Sequence, residues 1–95
     1  MNLENFLKSY EVNLEFFDLD NCLDDIMDIS YQIEVLERNF NHLTKTEQNK
    51  FIYLNGKLLQ LLKQTIPKNE LQKRVINKLL YIIKKEKEKN HIQVA

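Results

Sequence analysis

The stretch LDNCLDDIMDISYQIEVLERNFNHL, residues 19–43, decides the fold class. Its apolar side chains fall at Leu19, Cys22, Ile26, Ile29, Ile33, Leu36, Phe40 and Leu43, in steps of three and four that alternate without a gap. A helix repeats every 3.6 residues, so these positions make one continuous stripe, whereas a strand would alternate every second residue. The spacing is that of a coiled-coil seam and describes a helix with one face to bury. The chain is therefore read as all-α, and the expected architecture is an antiparallel four-helix bundle. A second arrangement fits the same stripe, a long helical hairpin that dimerises, and a single bent helix from Leu3 to Leu43 is also open.

Upstream of the stripe, Leu3, Phe6, Leu7, Tyr10, Leu14 and Phe17 share one helix face, and Val12 and Phe16 lie on its far side. Asp18, Asp20 and Asn21 then supply side chains that accept bonds from free N–H groups at a helix start. A break is expected near Asp18 to Asp20. Downstream, Thr44-Lys45-Thr46-Glu47 has the form of a capping box and opens a third helix. The turn before it is short, which predicts that helices two and three are antiparallel neighbours. Helix three carries Phe51, Ile52, Leu54, Leu58, Leu59, Leu61, Leu62 and Ile66, with Asn55 inside that apolar face and Gly56 on the polar side. Pro67 ends it, because the residue before a proline avoids the helical region. Asn69 is a cap for helix four, whose inner face is Leu71, Val75, Ile76, Leu79, Ile82 and Ile83. Residues 1–95 thus read as a single helical domain, with residues 84–95 a charged helix end and a tail.

Composition agrees. One Gly and one Pro in 95 residues are too few for the turns of an all-β fold, and 43% apolar content is too high for a disordered chain. No basic start followed by an apolar run is present, so no leader is expected, and no uncharged apolar run is long enough for a membrane span. The single Cys22 has no partner within the chain for a disulfide, and a reducing cytoplasm is the expected compartment. Net charge is zero but divided. Residues 1–43 hold ten acids and two bases, a net −8, and residues 44–95 hold twelve bases and four acids, a net +8. The halves are expected to fold against each other and partly neutralise, or to offer each sign to a separate partner.

Chemistry-bearing motifs are sparse. No Glu-x-x-His pair for a bundle metal site occurs, and the spacing of Asp18, Asp20 and Asp24 lacks the Gly and Glu of a calcium loop. No Gly-rich phosphate loop or nucleophile elbow is present, so no cofactor is expected. Arg38-Asn39-Phe40-Asn41-His42 resembles the Arg-polar-His signature of HEPN ribonucleases, which are small helical bundles, with fewer residues between Arg and His than that family uses. The resemblance implies RNA cleavage through Arg38 and His42. Helix four offers Lys73, Arg74, Lys78, Lys84 and Lys85, with Lys87 and Lys89 beyond, and Tyr81 as a stacking residue. That is the footprint of a nucleic-acid-binding helix.

The expected site lies on helix two. Opposite its main stripe, Met27, Tyr31 and Val35 are spaced four apart and line up as a second apolar row bordered by Asp24, Asp28 and Arg38. An apolar strip rimmed by charge suits a protein partner. The alternative is a central helix buried on both sides. The expected function is a small non-enzymatic protein–protein interaction module, an adaptor, inhibitor or chaperone-like binder of a partner helix, or of itself as a homodimer.

Overall fold

Three helices of this chain begin where a side chain satisfies the free N–H groups of a first turn. Asn2 accepts from the Asn5 N–H. Thr44 and Glu47 exchange bonds reciprocally: Thr44 N–H donates to Glu47 Oε1 at 2.8 Å and Glu47 N–H to Thr44 Oγ1 at 3.2 Å. This is the capping box expected from the sequence. Asn69 Oδ1 accepts from the Gln72 N–H at 2.9 Å, while Gln72 Oε1 accepts from the Lys68 N–H. The computed structural model describes the backbone of residues 2–18 and 23–94, and side-chain surroundings for residues 2–18 and 28–85. The helices are α1 (Leu3–Glu15), α2 (Leu23–Arg38), α3 (Lys45–Gln64) and α4 (Glu70–Val94), with a 3-10 turn at Phe40–His42 and no strand among the described residues.

The helix ends depart from the sequence pattern at several points. Helix α1 stops at Glu15, before Asp18, and Phe17 turns back to pack partly against the core. A single continuous helix from Leu3 to Leu43 is therefore excluded. Of the residues assigned to the break and the start of the stripe, Leu19, Asp20, Asn21 and Cys22 lie outside the described residues. Helix α2 ends at Arg38, where Asn39 Nδ2 donates to the Val35 carbonyl at 2.8 Å. Gln48 Nε2 then donates to the Phe40 carbonyl at 3.0 Å and ties the turn to α3. Helix α3 stops ahead of Pro67, with the Thr65 hydroxyl donating to the Leu61 carbonyl at 2.6 Å. Helix α4 continues to Val94, past His91, where the sequence pattern predicts a tail.

One core joins the helices. Leu7, Tyr10 and Leu14 come from α1, Ile29, Ile33 and Leu36 from α2, Phe51, Leu54, Leu58 and Leu62 from α3, and Ile76, Leu79 and Ile83 from α4. Ile66 and Leu71, expected on inner faces, flank the α3–α4 connection instead and are exposed. The contacts are those of a bundle: α1 packs on α2 and α3, and α4 packs on α2 and α3. The short turn after α2 predicts that α2 and α3 are neighbours, yet each is held chiefly by α1 and α4. A turn fixes where the next helix starts; the side chains fix what it packs against. The molecule measures 38 × 28 × 18 Å, and its thin dimension is that of two helix layers.

Tyr10 is the residue that seats α1 on α3. It is fully buried, its ring lies 6.1 Å from Phe51, and its hydroxyl donates to Asn55 Oδ1 at 2.7 Å. Phe51 in turn lies 6.2 Å from Phe40. Asn55, placed by the sequence inside an apolar face, thus receives the one polar side-chain atom that Tyr10 buries there. Burial pushes the Tyr10 phenol above its ordinary value of about 10. A raised folded-state value favours the neutral phenol. The resulting stability is present in full below the unfolded value and is lost as pH rises above it. In equilibrium denaturation, wild-type stability should therefore fall above about pH 10. Tyr10→Phe should cost about 1 kcal/mol at neutral pH by leaving Asn55 without its donor. It should also flatten the alkaline limb.

Candidate functional site

The second apolar row on α2 divides once the helix is packed. Tyr31 is 56% exposed, with the Phe6 ring of α1 at 6.0 Å along one edge. Val35 is buried at 6%, so it belongs to the core and not to a free surface. Helix α1 reaches this part of α2 at Gln32, where Asn13 Nδ2 donates to Gln32 Oε1 at 3.1 Å, and Gln32 is buried like Val35. Asp28 and Arg38 are exposed, and together with Tyr31 and Glu34 they make the outer edge of α2. The side chains of Asp24 and Met27 lie outside the described residues. Among the described residues of α2, the exposed ones are Asp28, Tyr31, Glu34 and Arg38, a mainly charged strip around one tyrosine.

A broader open face lies on α3. The buried stripe of that helix is Phe51, Leu54, Leu58 and Leu62. Moving two residues along rotates by about 200°, to the opposite side. There stand Tyr53, Gly56 and Gln60, flanked by Ile52 and Lys57, and these five line a shallow groove of about 510 Å³. Ile52 is 51% and Tyr53 66% exposed. The sequence pattern assigns Ile52 to the core and gives no sign of the groove. The signal that identifies it is the two-residue offset from the core stripe combined with the chain's one glycine.

Gly56 has no internal reason to be glycine. Its backbone is ordinary helix, without a positive φ. A Cβ built there meets nothing within 4 Å. Inside a helix, glycine costs about 1 kcal/mol relative to alanine. What it supplies is a gap in the outer surface, floored by backbone, between Ile52 on one turn and Gln60 on the next.

The remaining candidates are separate from this face. Arg38 ends α2 and His42 ends the 3-10 turn, and both are exposed to solvent. Among the described residues no cluster of three metal-ligating side chains occurs, and no helix is long and apolar enough to cross a membrane. The charge division survives packing. Lys50 on α3 meets Glu11 on α1 at 3.1 Å, a half-exposed pair of the kind that contributes little. Lys73, Arg74, Lys78, Lys84 and Lys85 of α4 are all exposed, while the side chains of Lys87 and Lys89 lie outside the described residues.

Gly56→Ala should raise stability by about 1 kcal/mol. For a domain of this size, that moves the thermal midpoint up by about 4–8 °C, read by circular dichroism. No protein-family model matches this chain, and comparisons with curated proteins and with solved structures give no match.

Proposed function

We propose that this chain is a small, non-enzymatic interaction module of the cytoplasm, built as four helices running alternately up and down, that binds a helix of a partner protein. The observation that carries the reading is the α3 groove. Ile52 and Tyr53 provide apolar area, Lys57 and Gln60 provide a polar border, and Gly56 provides a place where a second backbone approaches closely. Glycine is the residue suited to such approach. A partner helix reads a groove of this kind through apolar residues one turn apart. Apolar side chains that stand clustered on a helix already well packed on its other face mark a contact surface, whereas scattered ones carry no such meaning. The edge of α2 around Tyr31, with Asp28 and Arg38 beside it, is a second and smaller contact, and the acidic half of the chain steers the approach.

The test has two stages. Light scattering on a sizing column first gives the mass of the wild-type chain and of Tyr53→Asp and Tyr31→Asp. A homodimer abolished by Tyr53→Asp would make the partner helix a second copy docked in the groove. If the chain is monomeric, a photo-crosslinking residue at Gln60 should join one protein species in cells, and a control at Lys8 should not. Loss of association with Tyr31→Asp alone would shift the docking site to α2. A monomer that forms no adduct specific to position 60 would sink the proposal.

A further inference from the structure

Helix α4 shows the same two-residue offset as α3, with different chemistry. Its buried stripe is Gln72, Ile76, Leu79 and Ile83, each 7% exposed or less. The positions two residues on are Arg74, Lys78, Tyr81 and Lys85, and all four are exposed. They therefore form a straight row on the side turned away from the core. The row rises about 16 Å from Arg74 to Lys85. Lys73 and Lys84 flank it. No acid occurs from residue 71 to residue 85. Among the described residues, Arg74, Lys78 and Lys85 take part in no ion pair. Tyr81 stands within the row at 65% exposure, with cations one turn away on each side.

We infer that this row binds single-stranded nucleic acid, with phosphates at Arg74, Lys78 and Lys85 and a base stacked on Tyr81. A cation row alone suits any polyanion. The aromatic ring inside it is what selects a strand, because an unpaired base offers a π face and a backbone phosphate on either side. A duplex keeps its bases stacked internally and leaves the tyrosine unused. A broad duplex would also meet α2, which packs beside α4 and exposes Asp28 and Glu34. An acidic peptide would use the cations and gain nothing from the ring. An anionic lipid surface would need an apolar face to insert, and that of α4 is buried in the core. The site is separate from the α3 groove and from Tyr31, so it stands or falls independently of the protein-binding reading.

Fluorescence polarisation of labelled oligothymidine and oligouridine, titrated with the full chain over a range of salt, tests the assignment. Binding should weaken with salt. Arg74→Ala, Lys78→Ala and Lys85→Ala should each reduce the logarithmic salt slope by roughly 0.7. Tyr81→Ala should weaken binding by roughly 5- to 100-fold at an unchanged slope, and Tyr81→Phe should restore it. Lys8→Ala on α1 should bind as wild type. These α4 substitutions lie on the exposed face, and circular dichroism checks that the fold is intact. Absence of binding at low salt would overturn the proposal, as would Tyr81→Ala binding like wild type. Tighter binding to duplex, to polyglutamate or to vesicles of anionic lipid than to the single strand would also overturn it, and would identify the polyanion that the row accepts.

Discussion

The burial of Tyr10 governs how the helices are arranged. A tyrosine takes a large apolar ring into a core and brings one hydroxyl that must be satisfied there. Here that demand is met from α3, by Asn55, with Phe51 against the ring. The pair works as a register pin: α1 cannot slide or rotate on α3 without stranding both polar atoms in a poorly hydrated site. Once α1 is fixed on α3, its other flank covers α2, where Asn13 meets Gln32 and Phe6 meets Tyr31. Helix α4 fills the remaining space between α2 and α3. The packing order follows from one aromatic residue and its acceptor more than from the lengths of the turns.

That explains which parts of the fold were legible in the sequence. Stripes and caps are local, so they are readable without knowing a neighbour. Thr44 with Glu47, Asn69, the stop before Pro67, and the buried run Ile29, Ile33 and Leu36 all belong to this kind. Neighbourhood is not local. Val35 has the spacing of an exposed row, and only the packing of the helices buries it. Ile52 and Leu71 carry the hydrophobicity of core residues and stand outside, because the stripes of α3 and α4 are narrower than their apolar composition implies, and Ile66 is exposed because α3 ends before it. Asn55 was visible as an amide inside an apolar face, but its purpose depended on a residue 45 positions away. The candidate site was least legible of all. Gly56 is recognisable as costly from sequence, but only packing shows that the fold does not require it.

The outer faces then divide into three chemistries on one scaffold. Helix α2 presents a tyrosine among charges, α3 an apolar groove with a gap, and α4 a cationic row with a ring. Each is found by the same operation, a rotation away from the buried stripe, and each differs because the residues on the outward side differ. A bundle this small has no interior to spare for a pocket: its core is one side chain deep, and every additional task must be performed by an outward face.

The charge pattern follows the same geometry. A net charge of zero would ordinarily give a weak long-range field, but the zero here is the sum of −8 and +8 held in different halves of the chain. Helix α2, which carries five of the ten acids, packs beside α4, yet Asp28 and Glu34 on the one and Lys73, Arg74, Lys78, Lys84 and Lys85 on the other stay exposed. Full neutralisation across an internal interface would have required the cations of α4 to point inward, and desolvating them there would have cost more than exposed pairs return. Leaving them outside keeps the core apolar. The cost of burying cations thus explains why the charged residues of α4 occupy its outward face while its inward face is apolar.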